Sequence, residues 1–113
     1  MNITTSEIKY LMMMEKKGLH NVTEIAESLG ISKPSVSVMV KKMITKDILK
    51  KNKKYIELTD TGKKYYDYYN ELYEGIKNYF SSKGINDSGD NYVWLFISKI
   101  NEEDIKKLIR KAW

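Results

Sequence analysis

Cysteine is absent, histidine and proline each occur once, and no apolar run approaches the length of a bilayer span. Each absence removes a class of function. Without cysteine there is no disulfide framework and no thiolate for metal or redox chemistry. A single histidine cannot build a metal cluster or supply several catalytic pairs, and no glycine-rich phosphate cradle is present. The acids fall at helix starts or on solvent faces. His20 stands in a loop, where an ordinary surface residue is expected. With no stretch of about 18 apolar residues, nothing is expected to cross a membrane. The first residues also lack the basic, apolar and small-residue succession of a signal peptide. The expectation is a cytoplasmic protein that is not an enzyme and needs no cofactor.

What is present is positive charge concentrated in one place. The 113 residues carry 20 basic and 15 acidic side chains, a net charge of +5. Between Lys33 and Lys54 eight lysines face a single acid, Asp47, so this window is +7 and the rest of the chain is −2. A lysine-rich solvated surface would look the same by composition alone. Clustered on one element, such charge suits phosphate contacts. The length fits one domain, or one small domain with an extension, and suffices to bury a core.

The pattern around the lysines says which element carries them. VTEIAESLGISKPSVSVMVKKMITK, residues 22 to 46, reads as two short helices joined by a tight turn. Ile25, Ala26 and Leu29 make one buried face of the first. Asn21 with Glu24 suits a capping box, and Thr23 is a competing start. Gly30 suits a left-handed C-terminal cap, after which Ile31 is expected to plug the corner. Ser32 suits the N-cap of the second helix, and Pro34 is tolerated in its first turn. Val36, Met39, Val40 and Met43 recur at helical spacing and should be buried. Ser35, Ser37, Val38, Lys41 and Lys42 then fall elsewhere, small near the start and basic further on. Small side chains let a helix sit deep in a major groove, hydroxyls reach phosphates or base edges, and lysines neutralise phosphates. This is the layout of a helix-turn-helix rather than of an ordinary helical hairpin.

The flanking segments extend the reading. Residues 4 to 17 predict a first helix, capped by Thr4 or Thr5, with Ile8, Leu11 and Met12 along one side and Gly18 at its end. Ile48 to Leu58 alternates around a polar tip at Asn52, the signature of a short hairpin, with Lys50, Lys51, Lys53 and Lys54 about the tip. Thr59 then caps a long helix from Asp60 to about Phe80. Tyr65, Tyr69, Leu72, Ile76 and Tyr79 form a heptad-like seam on it, and Tyr66, Tyr73 and Phe80 a second stripe. Two aromatic stripes exceed what a small domain can cover, and tyrosine favours interfaces, so this helix reads as a dimerisation element. An intramolecular cover formed with the C-terminal helices, or a ligand cavity, remain alternatives. Residues 81 to 91 are the main break. Tyr92 to Ile100 is almost wholly apolar and fits a strand or a short buried helix. Asn101 caps a last helix with acids at its start, Lys106, Lys107, Arg110 and Lys111 toward its end, and Ile105, Leu108, Ile109 and Ala112 or Trp113 on its apolar side.

The stretch from Thr23 to Lys64, EIAESLGISKPSVSVMVKKM with a hairpin and IELTDTGKK, resembles the winged helix of the DtxR/MntR-type repressors. The opening TTSEIKYLMMMEKKG and the closing FISKINEEDIKKLIRKAW look more like the MarR family. Both are families of dimeric winged-helix transcription regulators. The resemblance implies that function, but not the metal response of the first family. Thr5 and Ile8 stand where its first-helix carboxylates would, and Asn70 or Tyr73 where its histidine would.

The expected fold is mainly α with a small β-hairpin wing: a winged helix-turn-helix over residues 1–58 and helical dimerisation elements over residues 59–113. The expected function is that of a homodimeric repressor on a palindromic site in double-stranded DNA; the residues settle neither whether a small-molecule effector exists nor which. DNA contacts are expected from Ser32, Lys33, Pro34, Ser35, Ser37, Val38, Lys41, Lys42, Lys51, Lys53 and Lys54. Dimer contacts are expected from Tyr65, Tyr69, Leu72, Tyr73, Ile76 and Tyr79. A protein-interaction module or replication/partition adaptor is the alternative. The lysine-rich wing argues against pure protein binding, since interface cores are depleted in lysine.

Overall fold

The structure, a computed structural model, describes residues 3–109. Its elements run α1 (Thr5–Lys17), α2 (Val22–Leu29), α3 (Lys33–Thr45), β1 (Leu49–Asn52), β2 (Tyr55–Leu58), α4 (Asp60–Ser82), α5 (Asn91–Lys99) and α6 (Glu102–Leu108), with a 3-10 turn at Ser88–Asp90. Two compact units meet between Tyr66 and Asp67, within α4. The sequence reading divides the chain after Leu58, at the visible change from strand to helix.

In the first unit, the capping residues act as their chemistry requires. The Thr4 hydroxyl accepts the Glu7 N–H at 3.1 Å, and the Glu7 carboxylate accepts the Thr4 N–H at 2.9 Å, closing a capping box on α1. Asn21, not Thr23, caps α2, its Oδ1 accepting the Glu24 N–H at 2.8 Å. Glu24 reaches back to the His20 N–H, 3.1 Å away and one residue before the cap. Gly30 ends α2 at φ 67°, a left-handed conformation that a Cβ would penalise. Ser32 caps α3, accepting the Ser35 N–H at 3.3 Å, with Pro34 in the first turn.

These caps orient three helices and a hairpin around one core. Leu11, Met14, Ile25, Val36, Met43, Ile48, Leu49 and Ile56 are at its buried centre. Met39 is only half-buried. Ile31 does not plug the corner: it is 40% exposed. The left-handed Gly30 turns the backbone so that the Ile31 N–H bonds the Ala26 carbonyl at 3.1 Å, while the side chain stays outside.

Glu7 is the one buried charged residue of the described core, 1% exposed, with the Lys46 ammonium 2.7 Å away. Burial pushes its carboxyl upward. The Lys46 pair and the Thr4 N–H outweigh burial and hold it below its ordinary 4.5. A carboxyl lowered in the folded state adds stability above its unfolded pKa and loses it as pH falls through the folded value. Glu7→Gln is therefore expected to cost about 1–3 kcal/mol at neutral pH. The gap from wild type should narrow on acidification below 4.5. Urea titrations at pH 7 and pH 3 check this; a gap that does not change with pH would contradict it.

The wing is an antiparallel pair in the register Leu49↔Leu58, Lys50↔Glu57, Lys51↔Ile56 and Asn52↔Tyr55. Asn52 therefore closes the ladder, and the tip is the two-residue turn Lys53–Lys54 rather than Asn52 itself. Leu49, Ile56 and Leu58 point into the core. A third segment joins the wing: the Ile56 N–H donates to the His20 carbonyl at 2.7 Å. His20 also places Nδ1 3.1 Å from the Ile56 carbonyl and stacks on Tyr55 with ring centroids 4.5 Å apart. The only histidine thus clasps the wing to the loop before α2, a tertiary role no local pattern announces.

The first turn of α4 seats on the turn between α3 and β1. Thr59 donates its hydroxyl to the Asp47 carbonyl at 2.6 Å and its N–H to the Ile48 carbonyl at 3.0 Å, and its Oγ1 accepts the Gly62 N–H at 2.9 Å.

In the second unit, Tyr92–Ile100 resolves as helix, with α5 spanning Asn91–Lys99. The Asp87 carboxylate caps it, accepting the Tyr92 and Val93 N–H groups at 2.8 and 3.0 Å. The Tyr73 hydroxyl donates to the Asp90 carboxylate, and the Lys77 ammonium lies 3.5 Å from Asp90. Asn101 caps α6, accepting the Asp104 N–H at 2.9 Å. Ile105 and Ile109 are buried, whereas Leu108 is 56% exposed. Arg110, Lys111, Ala112 and Trp113, expected to extend this helix, lie outside the described residues.

Candidate nucleic-acid interface

The recognition helix of the sequence reading is α3. One side of it, Val36, Val40 and Met43, is anchored in the core. That anchoring leaves Ser32, Lys33, Pro34, Ser35, Val38, Lys41 and Lys42 exposed, with Ser37 half-buried. Val38 is 54% exposed among polar neighbours. An apolar side chain there suits a thymine methyl in a major groove.

Helix packing brings part of this set together with the wing. Lys33 and Ser37 of α3, Lys51 and Lys54 of the wing, and Asn21 and Thr23 at the start of α2 line one open groove of about 630 Å³. Residues thirty positions apart in sequence therefore face one concavity with three ammonium groups on its walls. Asn21 and Thr23 were not singled out for contact by the sequence reading; the polar residues at the α2 N-terminus were the available signal. Glu24 also lines the groove, but its carboxylate is engaged by the Asn21 side chain at 2.9 Å and by the His20 N–H. The remaining expected residues, Ser32, Pro34, Ser35, Val38, Lys41, Lys42 and Lys53, lie on the exposed surface outside this groove.

The lysines divide into two groups. Among the described residues Lys33, Lys41, Lys42, Lys51, Lys53 and Lys54 are exposed and have no acidic partner. Lys46 is committed to Glu7, and Lys50 lies 3.5 Å from Glu57 across the strand pair. Two of the eight lysines in the basic window are thus tied to acids outside or across it. Six unpaired ammonium groups on α3 and the wing keep the surface positive and leave phosphate as the natural counter-charge. Ser32 is partly occupied by its cap, and its hydroxyl donates to Ser35 Oγ at 2.9 Å. That leaves the Ser35 proton able to donate outward.

Lys53 sits at the wing tip with φ 58°, a left-handed conformation that costs a residue with a Cβ about 1 kcal/mol. Lys53→Gly is expected to raise stability by roughly 1 kcal/mol while weakening DNA binding through the lost charge. Denaturation and binding curves on the same variant check this opposition; parallel movement of the two would remove the assigned role of Lys53.

The seam expected to dimerise is distributed differently. Tyr69, Leu72, Tyr73 and Ile76 are buried within the single chain, Tyr65 is half-buried, and Tyr79 is 60% exposed. Tyr73 lies against Trp94, with ring centroids 5.5 Å apart.

Residues 3–54 match the MarR family. Among solved structures, the fold is similar to that of the hypothetical protein SSo2273 from Sulfolobus solfataricus. The identity is 24% and the TM-score 0.73, over 94% of this chain and 86% of that one. It is also similar to ScaR with bound Zn²⁺ (25% identity) and to ScaR with bound Cd²⁺ (26% identity), each at a TM-score of 0.67. The match covers 90% of this chain and 51% of the ScaR chains, so this chain spans about half their length. No curated protein matches it. Among the described residues no group of three or more His, Cys, Asp or Glu side chains is arranged to hold a metal ion. No helix of the described residues is long and apolar enough to cross a membrane.

Proposed function

We propose that this DNA-binding transcriptional regulator, a winged helix of MarR type over residues 3–54, acts as a homodimeric repressor on a palindromic site. Each subunit places α3 in a major groove and the Lys53–Lys54 tip on the sugar-phosphate backbone. Half-sites then lie about one helical turn apart. Ser35, Ser37 and Val38 are assigned to base edges, and Lys33, Lys41, Lys42, Lys51 and Lys54 to phosphates. The observation that carries this reading is the shared groove of α3, the wing and the start of α2, with Lys33, Lys51 and Lys54 on its walls. The reading assigns the chain to the cytoplasm and gives it no catalytic chemistry.

The test is selection from random-sequence duplex DNA at two salt concentrations, with particle mass measured alongside. Enrichment of a palindrome by a dimer supports the proposal. Salt-sensitive binding without an enriched sequence would favour an architectural role. No binding at low salt would transfer the fold to the protein-interaction class.

A further inference from the structure

We propose that α3 selects its DNA by the methyl groups of thymine, and that the half-sites this chain binds carry thymine opposite Val38. The proposal deepens the DNA-binding reading above and rests on it. Reading base edges in a major groove needs particular side chains. Guanine is met by Arg or Lys, adenine by Asn or Gln, cytosine by Asp or Glu, and thymine by an apolar group against its C5 methyl. Helix α3, KPSVSVMVKKMIT, contains no Arg, Asn, Gln, Asp or Glu. The whole chain has no glutamine, and its one arginine is Arg110. Asn52 belongs to the wing. Asn21, at the groove beside α3, spends its side chain on Glu24: Oδ1 accepts the Glu24 N–H at 2.8 Å, and Nδ2 donates to the Glu24 carboxylate at 2.9 Å. Amide readout of adenine and carboxylate readout of cytosine are therefore missing from the helix.

The outermost ridge of α3 supplies the apolar alternative. Val36, Val40 and Met43 are buried. By helical geometry the ridge opposite them runs through Pro34, Val38, Lys41 and Thr45. All four are exposed. The two leading members, Pro34 and Val38, have side chains with no hydrogen-bonding group. Thr45 donates its hydroxyl back to the Lys41 carbonyl at 3.0 Å, so that proton is spent within the helix. The part of α3 that enters a groove first is thus apolar along its crest, with Ser35 and Lys42 beside it.

The surroundings identify what meets that crest. Lys33, Lys41 and Lys42 on the same helix are exposed and, among the described residues, have no acidic partner. Ammonium groups around a valine favour a polyanion over an apolar protein surface. The apolar feature that a major groove presents is the thymine methyl. The other groups of α3 discriminate less. A serine hydroxyl can donate or accept and so pairs with more than one base. A lysine is a point charge that meets the phosphates of every sequence alike. Val38 is left as the side chain with one matching base.

Duplexes that differ by a methyl group test this. Random-sequence pools are made with thymidine, or with deoxyuridine in its place, which keeps every hydrogen-bonding edge and every phosphate. The full chain is expected to bind the two unselected pools alike, through its lysines. On the site enriched from the thymidine pool, deoxyuridine opposite Val38 should weaken binding about fourfold per methyl lost. Val38→Ala should bind the thymidine site several-fold less tightly, lose less than about twofold more on deoxyuridine, and keep the wild-type salt slope. Alanine is the better helix former, so this variant should fold at least as well as wild type. Cytosine at the same position should regain about fourfold when it carries a C5 methyl. Equal affinity for the thymine and uracil sites would overturn the proposal. So would a thymine preference that Val38→Ala retains in full, or enrichment of guanine at the positions facing α3, which would hand the reading to its lysines. A protein that still binds DNA but ignores the methyl removes this proposal alone. No binding to either pool removes the DNA-binding reading with it.

Discussion

Gly62→Ala is expected to destabilise the chain by about 3 kcal/mol, a fall of roughly 10 °C in melting temperature, against the usual sign for a helical glycine. In an open helix, glycine costs backbone entropy and exposes its peptide, so alanine normally stabilises by about 1 kcal/mol. Gly75 is that ordinary case: a Cβ there would meet nothing within 4 Å, and Gly75→Ala should be stabilising. At Gly62 the Cβ would stand 2.1 Å from the Ile48 carbonyl oxygen and 3.3 Å from the Leu58 Cβ. A backbone carbonyl cannot rotate aside, and Ile48 is fixed from both directions. Its N–H bonds the Met43 carbonyl at 2.9 Å and its carbonyl accepts the Thr59 N–H at 3.0 Å. The first turn of α4 must lift, taking with it the Thr59 contacts that hold the base of the wing. Weaker DNA binding should accompany the lost stability. Urea denaturation of both variants, side by side, reads the opposite signs directly. A midpoint for Gly62→Ala at or above wild type would mean that α4 does not rest on the Ile48 carbonyl.

Removing four lysines, Lys41, Lys42, Lys53 and Lys54, all to alanine, is expected to weaken DNA binding on the order of a hundredfold or more at physiological salt. It should also flatten the dependence of log affinity on log salt by roughly 3–4 units. These four are exposed, and among the described residues none has an acidic partner. Their substitution should therefore change stability little. The loss should be similar for matched and mismatched sequences, because phosphate contacts carry no base information. Ser35→Ala gives the complementary result: a loss of about 1–3 kcal/mol confined to the enriched site, with the salt slope unchanged. If the quadruple variant lost affinity for one sequence and kept its salt slope, α3 and the wing tip would be reading bases with their lysines. The assignment made here would then be reversed. Lys46 and Lys50 are internal controls. Lys46→Ala should act mainly on stability, through the stranded Glu7, and Lys50→Ala should have a small effect on either quantity.

Much of the first unit was legible because its signals are local. Thr4, Asn21 and Ser32 cap helices through hydrogen bonds that span three residues, so the residue types and their spacing predict the boundaries closely. Gly18 and Gly30 end helices for an equally local reason. The apolar spacing of Val36, Val40 and Met43 marks the inner face of α3, and with it the outer face. The misplaced details depend on partners distant in sequence. The hairpin tip moved from Asn52 to Lys53–Lys54 because register is set where Leu49, Ile56 and Leu58 meet the core. Ile31 stayed outside because Gly30 directs the backbone, and hydrophobicity alone does not.

The second unit was less legible for a related reason. Tyr92–Ile100 has the composition of a strand and too few polar residues to display a period, so only the Asp87 cap and the packing of Val93 and Ile97 decide for helix. The tyrosine stripes of α4 announced a surface to be covered, and sequence spacing cannot say by what.

The sequence by itself determined the elements of the first unit, the Ser32 cap, the Gly18 and Gly30 helix ends, the basic window and the polar face of α3, since each follows from neighbours within one or two helical turns. Tertiary structure alone decided which lysines are available and which are tied to Glu7 and Glu57. It also decided that His20 clasps the wing, that Gly62 meets the Ile48 carbonyl, and that Val93 and Ile97 of α5 are buried while Tyr92 and Leu95 are exposed. Those outcomes depend on through-space distances between groups far apart along the chain, which composition and period do not encode.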